Sequence, residues 1–212
     1  MAFIKRMVGL FLCFSLLCLL TACSLIEDFS VFESKPAHNT IAPKALTKSE
    51  KELIRLLSDA EQEIYLFSYD ADKDYRHLTL WVEVYKDGAL IDPNAGGLDI
   101  IFLETNKALT GTLAVTITRT PDYRWRFSCS SASSTSAPNT NYLPDAARGY
   151  QQIQQAQTIE PGKEIILYQS MFSEDSTVGF IAQTFLERPE LLQAYDYVHL
   201  IKCKFSIPEE GL

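Results

Sequence analysis

The chain has 212 residues, 47% of them hydrophobic, and a formal net charge of −8 from 19 basic and 27 acidic side chains. That length suits one domain with a sizeable core. The negative balance argues against nucleic acid and against charge-driven adhesion to an anionic leaflet, because both partners are themselves anionic.

The N-terminus carries Lys5 and Arg6, and Met7 to Leu20 follows without a charge. A basic segment and then an apolar run is the layout of an export signal. Leu20-Thr21-Ala22-Cys23 comes next and resembles the lipobox of bacterial lipoproteins. The resemblance implies that residues 1–22 are a removed signal peptide and that Cys23 receives a diacylglycerol with palmitate-type chains. The rest would then stand on the extracytoplasmic face of the cell membrane. Met7–Ile26, twenty uncharged residues, also suffices to cross a hydrocarbon core as an uncleaved anchor, although Thr21 to Ser24 are poor filler for a spanning helix. Both readings place the C-terminal part outside. Beyond the signal the chain is similar to small lipoproteins of Gram-positive bacteria, a resemblance that carries over no functional residue.

Without residues 1–22 the balance becomes 17 basic against 27 acidic residues. Residues 23–46 have no sustained period and contain Pro36 and Pro43, which reads as the lipidated Cys and a flexible linker. Residues 47–212 read as one extracytoplasmic domain. Thr47-Lys-Ser-Glu50 has the form of a capping box, with Leu53, Ile54, Leu56 and Leu57 at helical spacing, so a helix is predicted over Lys48–Ala60.

From there the period is two. Strands are predicted over Glu63–Tyr69, His77–Tyr85 and Ala89–Asp92, the last two joined by an Asp87-Gly88 hairpin signal. Leu78, Leu80, Val82 and Val84 share one face of the second, and Thr79, Trp81, Glu83 and Tyr85 the other. Leu98–Glu104, Thr112–Arg119 and Tyr123–Cys129 continue the series. Ser128–Asn141 reads as a mobile loop. Strands over Gln151–Thr158 and Ile165–Phe172, a short helix at Pro189–Ala194 and a last strand over Tyr197–Ser206 complete the pattern. Eight or nine strands with one helix ahead of them point to a mainly β, antiparallel sandwich or barrel-like domain.

Candidate sites are few. Asp70, Asp72 and Asp74 resemble the start of a Ca²⁺ loop, but Tyr75 and Trp81 stand where the glycine and the bidentate glutamate belong, so a solvated turn is the plainer reading. Arg119, Arg124 and Arg126 cluster on one hairpin and suit an anion or internal ion pairs. Cys129 and Cys203 face the core in an exported chain, which leaves a disulfide and two buried thiols as alternatives. No nucleophile, phosphate-loop or cofactor motif occurs.

The expected function is therefore a membrane-anchored, non-catalytic binding module of the cell envelope. Its partner would be an envelope protein, peptide or glycan, met through the face of Trp81 and Tyr85. An envelope hydrolase using paired carboxylates and a solute-binding protein are the alternatives; the latter lacks the expected strand–helix alternation.

Overall fold

The computed structural model describes residues 36–102, 108–119, 123–129, 133–136, 147–174 and 184–207. The chain divides into two compact units, Met1–Ser34 and Lys35–Leu212, and the described residues all belong to the second.

Two antiparallel sheets build it, as an open sandwich. The first runs, in spatial order, β10 (Gln157–Thr158), β1 (Thr40–Pro43), β2 (Gln62–Ala71), β6 (Leu109–Thr118), β7 (Arg124–Ser128) and β8 (Ser133–Ser136). In the second, β3 (His77–Lys86) pairs with β12 (Tyr197–Ser206), then β11 (Glu164–Ser173) and β9 (Ala147–Gln152). The other edge of β3 is shared by β4 (Ala89–Asp92) and β5 (Gly97–Ile101). Asp87 and Gly88 both take positive φ, 50° and 80°, the backbone that joins β3 to β4 in a tight right-twisting hairpin.

Alternation explains which faces meet. Phe67, Tyr69, Leu113, Val115, Ile117, Trp125 and Phe127 from the first sheet are buried against Leu78, Leu80, Val82, Val84, Ile201, Cys203 and Phe205 from the second. A register shift between Ile166 and Tyr168 interrupts the ladder to β12. The back of β11 and β12 is covered too. Ile166, Met171, Val198 and Leu200 pack there against Phe185, Leu192 and Tyr195, from α2 (Thr184–Glu187), a 3₁₀ helix (Pro189–Ala194) and the residue after it. This second layer is why Ile165-Ile166-Leu167 reads as a continuous apolar run rather than an alternation.

The mainly β, antiparallel reading holds, and the differences concern weakly patterned stretches. Thr40–Pro43, expected in the linker, is β1, paired with β2 and β10. Ser133–Ser136, expected in a loop, is β8. Four residues of Ser and Thr have no apolar alternation to betray them. Gln151–Thr158 is not one strand: the chain leaves the second sheet after Gln152 and joins the first at Gln157. The capping box forms as read, with the Glu50 N–H donating to Thr47 Oγ1 at 3.1 Å and the Thr47 N–H to Glu50 Oε2 at 2.9 Å. The helix it starts, α1, spans Lys48–Leu57, ends sooner than expected and buries none of its residues.

One polar cluster lies inside. The Tyr123 hydroxyl and His199 Nδ1 each lie 3.3 Å from Ser170 Oγ, and the His199 ring packs edge-on against Trp125, 5.2 Å between centroids. Burial pushes the His199 imidazole from 6.5 down to about 3, so it is held neutral. A group with a depressed basic pKa in the folded state takes up its proton more readily when unfolded. Stability therefore falls as pH drops from about 6.5 toward 3, by about 1.4 kcal/mol per pH unit for this one group. Urea unfolding of wild type and His199→Leu at pH 7 and pH 5 checks this. The variant is expected to be less stable at pH 7 but to lose less between the two pH values, and an equal loss in both would refute the assignment.

Candidate functional site

Three polar arrangements stand at the surface of the sandwich. The first is on the outer face of the second sheet, where alternation turns Trp81, Glu83 and Tyr85 of β3 away from the core. The register sets Lys202 of β12 opposite Trp81 and next to Glu83, and Glu164 of β11 lies beyond it. Lys202 Nζ bridges Glu83 Oε2 at 2.7 Å and Glu164 Oε2 at 2.9 Å. Trp81 Nε1 donates to Glu83 Oε1 at 3.1 Å, and the Tyr85 hydroxyl to Glu83 Oε2 at 2.6 Å. Burial draws the Glu83 carboxyl upward, but hydrogen bonds from Lys202, Tyr85 and Trp81 and the charge of Lys202 outweigh it and hold it below the ordinary carboxylate value. Burial, and then the hydrogen bond to the Glu83 carboxylate, push Tyr85 well up.

These contacts use the polar ends of both aromatics expected to receive a partner. They also define what Glu83 does: a carboxylate with three donors is a structural anion, not a general acid. Removing one member of such a buried pair leaves the other charge uncompensated, at about 3–5 kcal/mol. Lys202→Met is expected to unfold at markedly lower urea than wild type, and Glu83→Gln combined with Lys202→Met to recover part of the loss. Since Glu83 titrates low when folded, its contribution is present above the usual carboxylate range and lost as pH falls through its own lower value.

The second arrangement gathers at Glu63, the second residue of β2. Arg119 and Arg148 both reach Glu63 Oε1, the latter at 3.4 Å, and the Tyr65 hydroxyl donates to Oε2 at 3.1 Å. Both guanidiniums also lie over the Tyr150 ring, at 5.8 and 5.3 Å. Arg119 is thereby removed from the arginine cluster and serves an internal ion pair.

The third is a shallow cleft of about 420 Å³ on the outer face of the first sheet, lined by Gln62, Ile64, Thr116, Thr118, Arg124, Trp125, Arg126 and Ser128. Its walls follow from the register: Thr118 lies opposite Gln62 and Arg124, and Thr116 opposite Ile64 and Arg126. Trp125 turns inward to the core and the flanking arginines turn out. Arg124 and Arg126 are both exposed. In an acidic chain, two arginines among neutral hydroxyl and amide groups form a local reversal of charge.

The remaining candidates are placed as follows. Asp70 is buried on β2 with His38 Nδ1 3.3 Å away, while His38 Nε2 is 3.8 Å from Asp72 and Asp74 is exposed. No group of three metal-ligating side chains forms among the described residues, and Asp70, Asp72 and Asp74 do not gather as a Ca²⁺ loop would require. Cys129 and Cys203 are free thiols. Cys129 follows β7 of one sheet, and Cys203 sits in β12 of the other. Burial pushes the Cys203 thiol far up, which makes it inert. Ser170 and His199 are close enough to suggest a nucleophile and base, but both are buried and His199 is a weak base, so no substrate reaches them. Cys23 lies outside the described residues.

Sequence reasoning missed Glu63, Arg148, Lys202 and Glu164 as partners, since each comes from a strand distant in sequence. Thr116 and Thr118 were signalled only by the threonines alternating with Leu113, Val115 and Ile117, and Gln62 by nothing in the pattern.

No described helix is long and apolar enough to cross a membrane. The family model of the YgaN domain matches residues 40–205, from the first residue of β1 to the penultimate residue of β12. No curated protein and no solved structure matches the chain.

Proposed function

We propose that this chain, which belongs to the YgaN domain family, is a non-catalytic binding module tethered through lipid on Cys23 to the extracytoplasmic face of the cell membrane, and that it holds an anionic envelope polymer in the cleft of the first sheet. The observation that carries the binding role is the pair Arg124 and Arg126, exposed on one strand and lining a cleft together with Gln62, Ile64, Thr116, Thr118, Trp125 and Ser128. Guanidinium forks match carboxylate and phosphate oxygens bidentately. Alternate residues on a strand stand roughly 7 Å apart, a spacing suited to successive charged groups along a chain. The hydroxyl and amide groups beside them suit the polyol or sugar between the charges. The carboxylates that a hydrolase would need are instead held by Lys202, Arg119 and Arg148, which favours binding over catalysis.

Two measurements test this reading. Growth with an alkyne analogue of palmitate is expected to label the wild-type chain and not Cys23→Ala, which should be released or left unprocessed. Equal membrane retention of that variant as a full-length precursor would favour an uncleaved anchor. For the cleft, titration of the purified chain with poly(glycerol phosphate) and with polygalacturonate, one phosphate- and one carboxylate-bearing polymer, is expected to show binding to at least one. Arg124→Ala/Arg126→Ala should weaken it at least tenfold, in line with about 1.5–3 kcal/mol for a charge-assisted hydrogen bond. Unchanged affinity in the double variant, or no binding to either polymer, would remove the cleft from consideration.

A further inference from the structure

Helix α1 presents an unusual face. Leu53, Leu56 and Leu57 are 56%, 68% and 73% exposed, whereas a surface helix ordinarily turns such a stripe to the core. At helical spacing these leucines and Ile54 lie on one side, with Lys48, Lys51 and Arg55 on the other. The helix is held by its own capping box and by Ser58, whose hydroxyl donates to the Ile54 carbonyl at 2.7 Å, so packing on the sandwich is not what shapes it.

We propose that α1 lies along the surface of an anionic bilayer, with Leu53, Leu56 and Leu57 entering the boundary between headgroups and acyl chains. This rests on the reading of Cys23 as the lipid-bearing residue. Charge selects this occupant. The chain carries −8 overall, but within α1 Lys48, Lys51 and Arg55 outnumber Glu50 and Glu52, and Glu50 is already engaged by Lys44 at 3.1 Å. The local sign is thus the reverse of the domain's and complementary to anionic headgroups, with long basic side chains able to reach up around the apolar stripe. Reach agrees with this: sixteen residues separate Cys23 from β1, a contour of at most about 55 Å, which bounds how far the domain can stand from the lipid on Cys23. The whole domain's acidity opposes adhesion through charge alone; insertion of the leucines supplies the apolar contribution that charge does not.

The test uses the full chain in vesicles of three parts phosphatidylcholine to one part phosphatidylglycerol, with and without brominated acyl chains. The substitution Leu56→Trp places a reporter on an exposed position where it disturbs no packing. Its emission, after subtraction of the wild-type signal, is expected to fall at least twofold in brominated vesicles. Adding Leu53→Glu and Leu57→Glu should abolish that fall while the chain stays with the vesicles. Palmitate labelling of Cys23 is read separately, so loss of the label with quenching intact would overturn the tether and not the helix. Unquenched Leu56→Trp in vesicle-bound chain would overturn the helix proposal. So would Leu56→Cys chains that cross-link to each other through this face, since a second copy would then be its occupant.

Discussion

Strand β12 is the constraint from which the remaining structure follows. It pairs along its whole length with β3 on one edge and over most of it with β11 on the other. Its inward side chains, Ile201, Cys203 and Phe205, meet the first sheet, and its outward Val198 and Leu200 are covered by the segment that precedes it in sequence. A strand closed on both edges and both faces has no solvent to accommodate a charge, so Lys202, outward and buried, has to be neutralised where it stands. Glu83 and Glu164 do so from the two flanking strands, and the indole and phenol of Trp81 and Tyr85 complete the shell around Glu83.

How much of this could be read from the sequence depended on period. His77–Tyr85 alternates because its inward face is core, Tyr197–Ser206 shows its inward set through Ile201, Cys203 and Phe205, and the limits of both match the structure to within a residue. The Asp87-Gly88 hairpin and the Thr47 to Glu50 capping box were legible because both depend on local backbone chemistry. β1 and β8 were not, since four-residue strands such as Thr-Ile-Ala-Pro and Ser-Ser-Thr-Ser are too short to show a period and obtain their place from neighbours. The division of Gln151–Thr158 between two sheets is likewise a tertiary choice, with no local signal beyond the polar run Gln154-Gln155.

The candidate sites were legible in the same uneven way. Three arginines in one hairpin were visible as a group, yet only Arg124 and Arg126 share the cleft. Arg119 lies just beyond the end of β6, where Glu63 of β2 is within reach, and spacing along the chain contains no information about that meeting. Trp81 and Tyr85 were correctly placed on the outward face, but the sequence held no sign that Glu83, between them, would engage both. The acidic triplet is divided in the fold: Asp70 is still within β2 and lies against His38, while Asp72 and Asp74 belong to the connection that follows.

Strand length is distributed unevenly across the sandwich, and this bears on its solution behaviour. The five ten-residue strands, β2, β3, β6, β11 and β12, all have neighbours on both sides, whereas the outermost strands β10, β8, β4, β5 and β9 have between two and six residues. Unpaired backbone at a sheet margin is a template for polymerisation, and its hazard grows with the length of flat edge on offer. Among the described residues each margin is only a few hydrogen bonds long, so these edges offer little of the continuous ladder on which cross-β growth begins.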